Sequence, residues 1–202
     1  ETLIEAIRQS SPAIDLKFQS EPLVAAGLHH TIARAFDNRT DYPDARREYE
    51  RTVALYRQTD GELSQDAIIV QLQRVTLEAR SYEKGSLDLA KSLLAEQENL
   101  LGRLARPRPE LQVWRASARG MVALIDNRAK TAADEFELAL KLASALPTFD
   151  GSARLTLQQR LAFAYIRLGD GSRAETILRD LIAKFSDLTG SGSPNVLRVR
   201  LN

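Results

Sequence analysis

The chain has 202 residues, 44% of them hydrophobic and 27% charged, with a formal net charge of +1 and no cysteine. A folded chain of that length buries about 70% of the surface its unfolded form exposes, so stability needs no metal or disulfide, and the composition is far from that of a disordered chain. The near-neutral charge disfavours a nonspecific grip on nucleic acid, the lack of cysteine removes disulfides, zinc-thiolate sites and thiol nucleophiles, and no stretch reaches the ~18 consecutive apolar residues of a membrane span.

In chain order, residues 1–20 are predicted to form one or two short helices that cap or lead into a repeat array, with Ser11-Pro12 a kink or a fresh helix start. Leu28, Ile32 and Phe36 then begin an amphipathic stripe within a first repeat, 21–61, which breaks at Asn38 to Asp41 and closes at Thr59-Asp60-Gly61. A second repeat, 62–107, breaks at Lys84 to Ser86 and closes at Arg106-Pro107-Arg108-Pro109. A third, 108–148, breaks at Asn127 to Lys130 and closes in the loop from Pro147 to Ser152. A fourth, 149–190, carries Leu157, Leu161, Tyr165 and Leu168, breaks at Gly169 to Gly171 and gives way to the loop from Thr189 to Pro194. Residues 191–202 read as the opening of a fifth, and Glu1 and Asn202 as boundaries within a longer protein.

Shortly after each inner break a small residue is followed four later by a large apolar one: Ala45 with Tyr49, Ala90 with Leu94, Ala132 with Phe136, Ala174 with Leu178. These alanines are 45, 42 and 42 residues apart. Two antiparallel helices joined by a tight turn approach closely there, where only a small side chain fits, and each hairpin must stack on its neighbour to bury its second face. Local text recurs as well, in Phe36-Asp37-Asn38-Arg39 and Ile125-Asp126-Asn127-Arg128. The expected fold is all-α, a right-handed superhelical stack of antiparallel helix pairs.

The pattern Leu28-x3-Ile32-Ala33-x2-Phe36, Tyr42-x2-Ala45-x3-Tyr49, with its copy Leu161-Ala162-x2-Tyr165-x3-Gly169-x4-Ala174-x3-Leu178, resembles the tetratricopeptide repeat. Its period exceeds the standard unit of about 34 residues, as in the long-helix variety of kinesin light chains. Repeat two departs at Glu78, where an apolar residue is usual. In repeat three the inner turn is about two residues short, which leaves the register of its first helix open. Glu21 to Tyr56, Ala118 to Asn127 and Gly192 to Asn202 also resemble the repeat half of bacterial winged-helix, membrane-anchored transcription regulators of the lysine-decarboxylase activator type. That resemblance implies a sensor segment outside the membrane, hence a periplasmic location, with the DNA-binding head elsewhere in the protein. Similar repeat tails occur on bacterial serine/threonine kinases, which makes a cytoplasmic docking or regulatory tail the alternative.

No catalytic constellation emerges, and no cofactor or metal is implied. His29 and His30 are adjacent on a helix and point about 100° apart, which suits packing for His29 and the concave face for His30 better than chelation. Gly190-Ser191-Gly192-Ser193 lacks the strand and the lysine of a phosphate loop and reads as a linker. Carboxylates at Asp134-Glu135 and at Glu96 and Glu98 read as solvated faces, and Trp114 as core. The Arg103, Arg106, Arg108 and Arg115 cluster has no aromatic platform, so nucleic acid is not expected to bind this segment directly.

The expected binding surface is the concave face of the first helices. It is assigned to His30, Arg34 and Asn38, to Thr76 and Arg80, to Arg119 and Asn127, and to Gln159, Phe163 and Arg167. One arginine per repeat would suit an acidic protein or peptide partner. Self-association through apolar surface at the C-terminal end is a further expectation.

Overall fold

The computed structural model describes residues 3–189, with side chains for 5–184. The described residues are helical throughout, joined by short loops. The helices are α1 (Leu3–Lys17), α2 (Pro22–Asn38), α3 (Tyr42–Asp60), α4 (Gln65–Arg80), α5 (Ser86–Arg103), α6 (Pro109–Ile125), α7 (Ala129–Ser144), α8 (Gly151–Leu168) and α9 (Gly171–Thr189). The expected fifth-repeat opening, the glycine-serine linker and the self-association surface at the C-terminal end lie outside the described residues.

Helix ends follow local chemistry. Pro22 and Pro43 sit in the first turns of α2 and α3, and Pro109 opens α6, positions where the missing N–H costs nothing. Ser64 and Asp150 cap α4 and α8 by accepting from the backbone N–H groups of Ala67 and Ser152. Pro12 lies inside α1, which runs on through it, so no fresh helix starts at Ser11-Pro12.

Contacts divide the chain into two compact units, 1–111 and 112–202, the boundary falling within α6. In the first unit α2 and α3 form an antiparallel hairpin, α4 and α5 form a second, and α4 also packs on α3. Ala33, Phe36, Ala45, Tyr49, Val53, Ala67, Val70 and Leu77 make one core that crosses from the first hairpin into the second. In the second unit α8 packs on both α7 and α9. The four hairpin alanines are buried in all cases, as a close helix crossing requires.

The inner turns are built alike. Thr40, Tyr82, Asn127 and Gly169 adopt left-handed backbone at φ 62°, 55°, 58° and 84°, and they lie 42, 45 and 42 residues apart. After three of them the next N–H reaches back five residues, from Asp41 to Phe36, Arg128 to Ala123 and Asp170 to Tyr165. This is the closing bond of a left-handed helix terminus, which glycine adopts without strain and Asn more readily than most residues.

The turns settle the register of α6. Asn127 is the counterpart of Thr40, not of Asn38, so the recurrence of Phe36-Asp37-Asn38-Arg39 in Ile125 to Arg128 is displaced by two residues. The true counterparts of Phe36 are Glu78, Ala123 and Tyr165, all buried. Glu78 holds its apolar position because Arg46 reaches it with two hydrogen bonds, 2.8 and 2.7 Å, and Arg74 adds a third at 3.3 Å. The longer spacing of the alanines after repeat one comes from Glu83, Lys84 and Gly85, three residues inserted between Tyr82 and α5.

Candidate functional site

The first helices of successive hairpins are tied by side chains spaced close to the repeat. In the first unit the ring N–H of His30 donates to Gln73 at 2.5 Å and Arg80 donates to Asp37 at 2.5 Å, each pair 43 residues apart. In the second unit Arg160 donates to Ser117 at 2.8 Å, again 43 apart, and Arg167 donates to the side-chain oxygen of Asn127 at 2.5 Å. Partners one residue beyond the equivalent position put α2 alongside α4, and α6 alongside α8, in parallel, which is the geometry of stacked hairpins.

With the turns aligned, His30, Arg34 and Asn38 correspond to Leu72, Thr76 and Arg80, to Ser117, Met121 and Ile125, and to Gln159, Phe163 and Arg167. Arg34, Asn38 and Arg167 are exposed, His30, Arg80, Gln159 and Phe163 are half-buried, and Thr76 is buried with its hydroxyl on the Gln73 carbonyl. Two assignments change. Arg119 is the counterpart of Ile32 and lies 3.7 Å from Glu135, while Asn127 is a turn residue. Within the first unit Arg34 and Arg80 stand at different register positions, and so do Arg119 and Arg167 within the second.

Their electrostatic states also differ. Arg80 is balanced by the Asp37 carboxylate, whereas Arg167 is bonded to a neutral amide that leaves its charge uncancelled. Sequence reading missed Asp37, Gln73, Ser117 and Arg160. The signal for them was the spacing of 43 between complementary side chains.

His29 and His30 face different surroundings. His29 is buried between α1 and α3, its Nδ1 2.7 Å from Glu48 and its Nε2 3.2 Å from Asp15. Burial opposes its charge, but the hydrogen bonds and charges of Glu48 and Asp15 outweigh burial and hold its pKa above the ordinary value. His30 moves the other way. Burial, helped by the charge of Arg34, depresses it, and the bond to Gln73 only partly compensates.

Ser11 donates to Glu48 at 2.8 Å, Arg51 to Asp15 at 2.8 Å, and Arg8 to Asp44 at 2.7 Å, so α1 is fastened to α3 by polar contacts along its length. Trp114 is half-buried, its ring tilted against Phe149 at 5.6 Å. An open cleft of about 810 Å³ in the second unit is walled by Leu140, Ser144, Arg154, Leu155, Gln158 and Lys184, and Arg154 donates to the carbonyls of Ala143 and Leu146. That arginine closes the end of α7 and leaves no set of groups converging on the cleft. Among the described residues no group of His, Asp and Glu is arranged to hold a metal ion, and no helix is long and apolar enough to cross a membrane.

No family model matches the chain. No curated protein matches it. Among solved structures it is similar to the crystal structure of BtubC (BKLC) from P. vanneervenii, with 19% sequence identity and a TM-score of 0.49; the likeness covers 98% of this chain, which spans 63% of that one.

Proposed function

We propose that this chain is a protein-binding helical-repeat segment of the tetratricopeptide kind, and that it serves as the signal-input part of a bacterial transcription regulator whose DNA-binding head is elsewhere in the protein. The observation that carries the binding role is an exposed arginine on a first helix of each unit, Arg34 on α2 in the first and Arg167 on α8 in the second, each beside side chains locked into a ladder. A rigid face with protruding polar groups loses little entropy on binding. The partner is an acidic polypeptide segment, because Arg167 keeps an uncancelled charge and Arg34 is exposed. The regulator role is supported by the resemblance of Glu21 to Tyr56 and Ala118 to Asn127.

The binding role is tested by titrating the chain into a fluorescently labelled glutamate-rich peptide. Saturable binding that disappears in Arg34→Glu/Arg167→Glu supports it, and equal affinity for the variant overturns it. The regulator role is tested by carrying the same pair into the full-length protein. Altered transcription at unchanged protein level supports it, and unaltered output overturns it.

A further inference from the structure

We propose that the cleft walled by α7, α8 and α9 is a binding site for a small aromatic carboxylate, its ring against Leu140 and Leu155 and its carboxylate at Arg154. The site shares no residue with the arginine-bearing face and does not depend on the reading above.

The first three helices and the last three share one register. Thr40 and Gly169 at the inner turns, and Ala45 and Ala174 after them, are each 129 residues apart. The same offset relates α1 to α7. Arg8 on α1 pairs with Asp44, and Glu137 on α7 lies 3.9 Å from Arg173, a charge-reversed copy of that contact at the equivalent positions. Each wall residue of the cleft therefore has a counterpart in the first unit.

In the first unit that place is closed. Ala25, Ala26 and Leu55 are buried there, with Ile14, Phe18 and Tyr56 packed on them. In the second unit the counterparts of Ala25, Ala26, Leu55, Ile14 and Phe18 are Arg154, Leu155, Lys184, Ala143 and Pro147, and that of Tyr56 is Phe185, which lies outside the described side chains. The leucine has given way to a lysine whose ammonium bonds Asp180 at 2.6 Å, and an isoleucine and a phenylalanine to the smaller alanine and proline. With that apolar bulk gone, the described residues leave a cleft of about 810 Å³, a volume typical of small-molecule sites. The largest group present in the first unit and replaced here is the phenyl ring of Phe18, which sets the ring size of the ligand.

The cleft also carries a cation that the first unit lacks. Arg154, in the place of Ala25, donates only to the carbonyls of Ala143 and Leu146, and its Nε–H is buried without an acceptor. The carbonyl end of α7 offsets part of the charge, but no carboxylate among the described residues pairs with it. Lys184 and Asp180 balance each other, and Asp150 is engaged by the backbone N–H and hydroxyl of Ser152. Ser144 stands where the first unit has Asp15, so the carboxylate that would repel an anion at this wall is replaced by a neutral hydroxyl. A half-buried guanidinium with uncancelled charge beside two leucines selects a ligand that is apolar at one end and a carboxylate at the other. No catalytic set converges on the cleft, and binding requires none.

The test is isothermal titration of 4-phenylbutanoate into the 202-residue chain. Saturable binding is expected, with 4-phenylbutylamine, the same ring and chain bearing the opposite charge, weaker by at least roughly ten-fold. Ser144→Trp, which fills the cleft, should weaken the acid by at least roughly ten-fold, and Leu138→Glu, on the exposed face of α7, should leave it unchanged. Arg154→Gln should bring acid and amine to similar affinity. Because Arg154 also holds the end of α7, Ser144→Trp carries the test if circular dichroism shows that Arg154→Gln does not fold. No saturable heat, equal affinity for acid and amine in the parent chain, or unchanged affinity in Ser144→Trp overturns the proposal. Loss of binding in Arg34→Glu/Arg167→Glu instead also overturns it, since the acid would then sit on the first-helix face.

Discussion

Removal of Arg46 probes the most unusual feature of the core, a glutamate in an apolar position. Glu78 is 0% exposed and takes two hydrogen bonds from Arg46 and one from Arg74. Taking away one partner of a buried ion pair costs about 3–5 kcal/mol, because the remaining charge is left in a low-dielectric site. Here Arg74 stays, and the Arg46 side chain is 24% exposed so water can enter the space it leaves. The cost of Arg46→Ala is therefore reduced to about 2–3 kcal/mol, which in a unit of this size lowers the melting temperature by roughly 10–15 °C. Glu78→Leu alone strands Arg46 near the surface, where it rehydrates, and restores the apolar side chain that the other repeats carry. The pair Glu78→Leu/Arg46→Ala should accordingly be more stable than Arg46→Ala by about 1–2 kcal/mol. Urea unfolding followed by far-UV circular dichroism measures all three. If Arg46→Ala falls within about 0.5 kcal/mol of the parent, or the double variant is the least stable, the buried charge does not depend on Arg46 as argued.

Two further outcomes follow from the packing. Because the pKa of His29 is raised above its ordinary value of 6.5, its contribution to stability is full below that value and is lost as pH rises through the folded-state pKa. His30, depressed, contributes with the opposite sign, so the measurement is the difference between the parent and His29→Gln in urea midpoint from about pH 6 to about pH 9; that difference should shrink with rising pH, and a constant one would exclude a charged His29. At Gly120 an added Cβ would lie 2.7 Å from the ring of Phe136, which is fully buried and cannot retreat, so Gly120→Ala should destabilise by about 1–3 kcal/mol, read from the thermal unfolding of Trp114 fluorescence.

What the amino-acid sequence by itself determined is the helical content, the hairpin organisation and the repeat length. Apolar spacing fixes which face of each helix is buried, and Ala45, Ala90, Ala132 and Ala174 mark crossings where a larger side chain does not fit. Those are local or strictly periodic signals. The exposure of Arg34, Asn38 and Arg167 was legible because repeats one and four share one clean register.

Only the tertiary structure decided the rest. The register of α6 hangs on which residue adopts left-handed backbone, and Asn127 does so two places from where text similarity to Asn38 put it. Glu78 looked like a departure from the pattern because its partners, Arg46 and Arg74, lie on two different helices. Thr76 and Leu28 show the same limit from opposite sides, one buried where exposure was expected and one exposed where its counterparts Val70 and Leu157 are buried. Whether a helix face meets solvent depends on which neighbour covers it, and the periodicity of one helix carries no information about its neighbour.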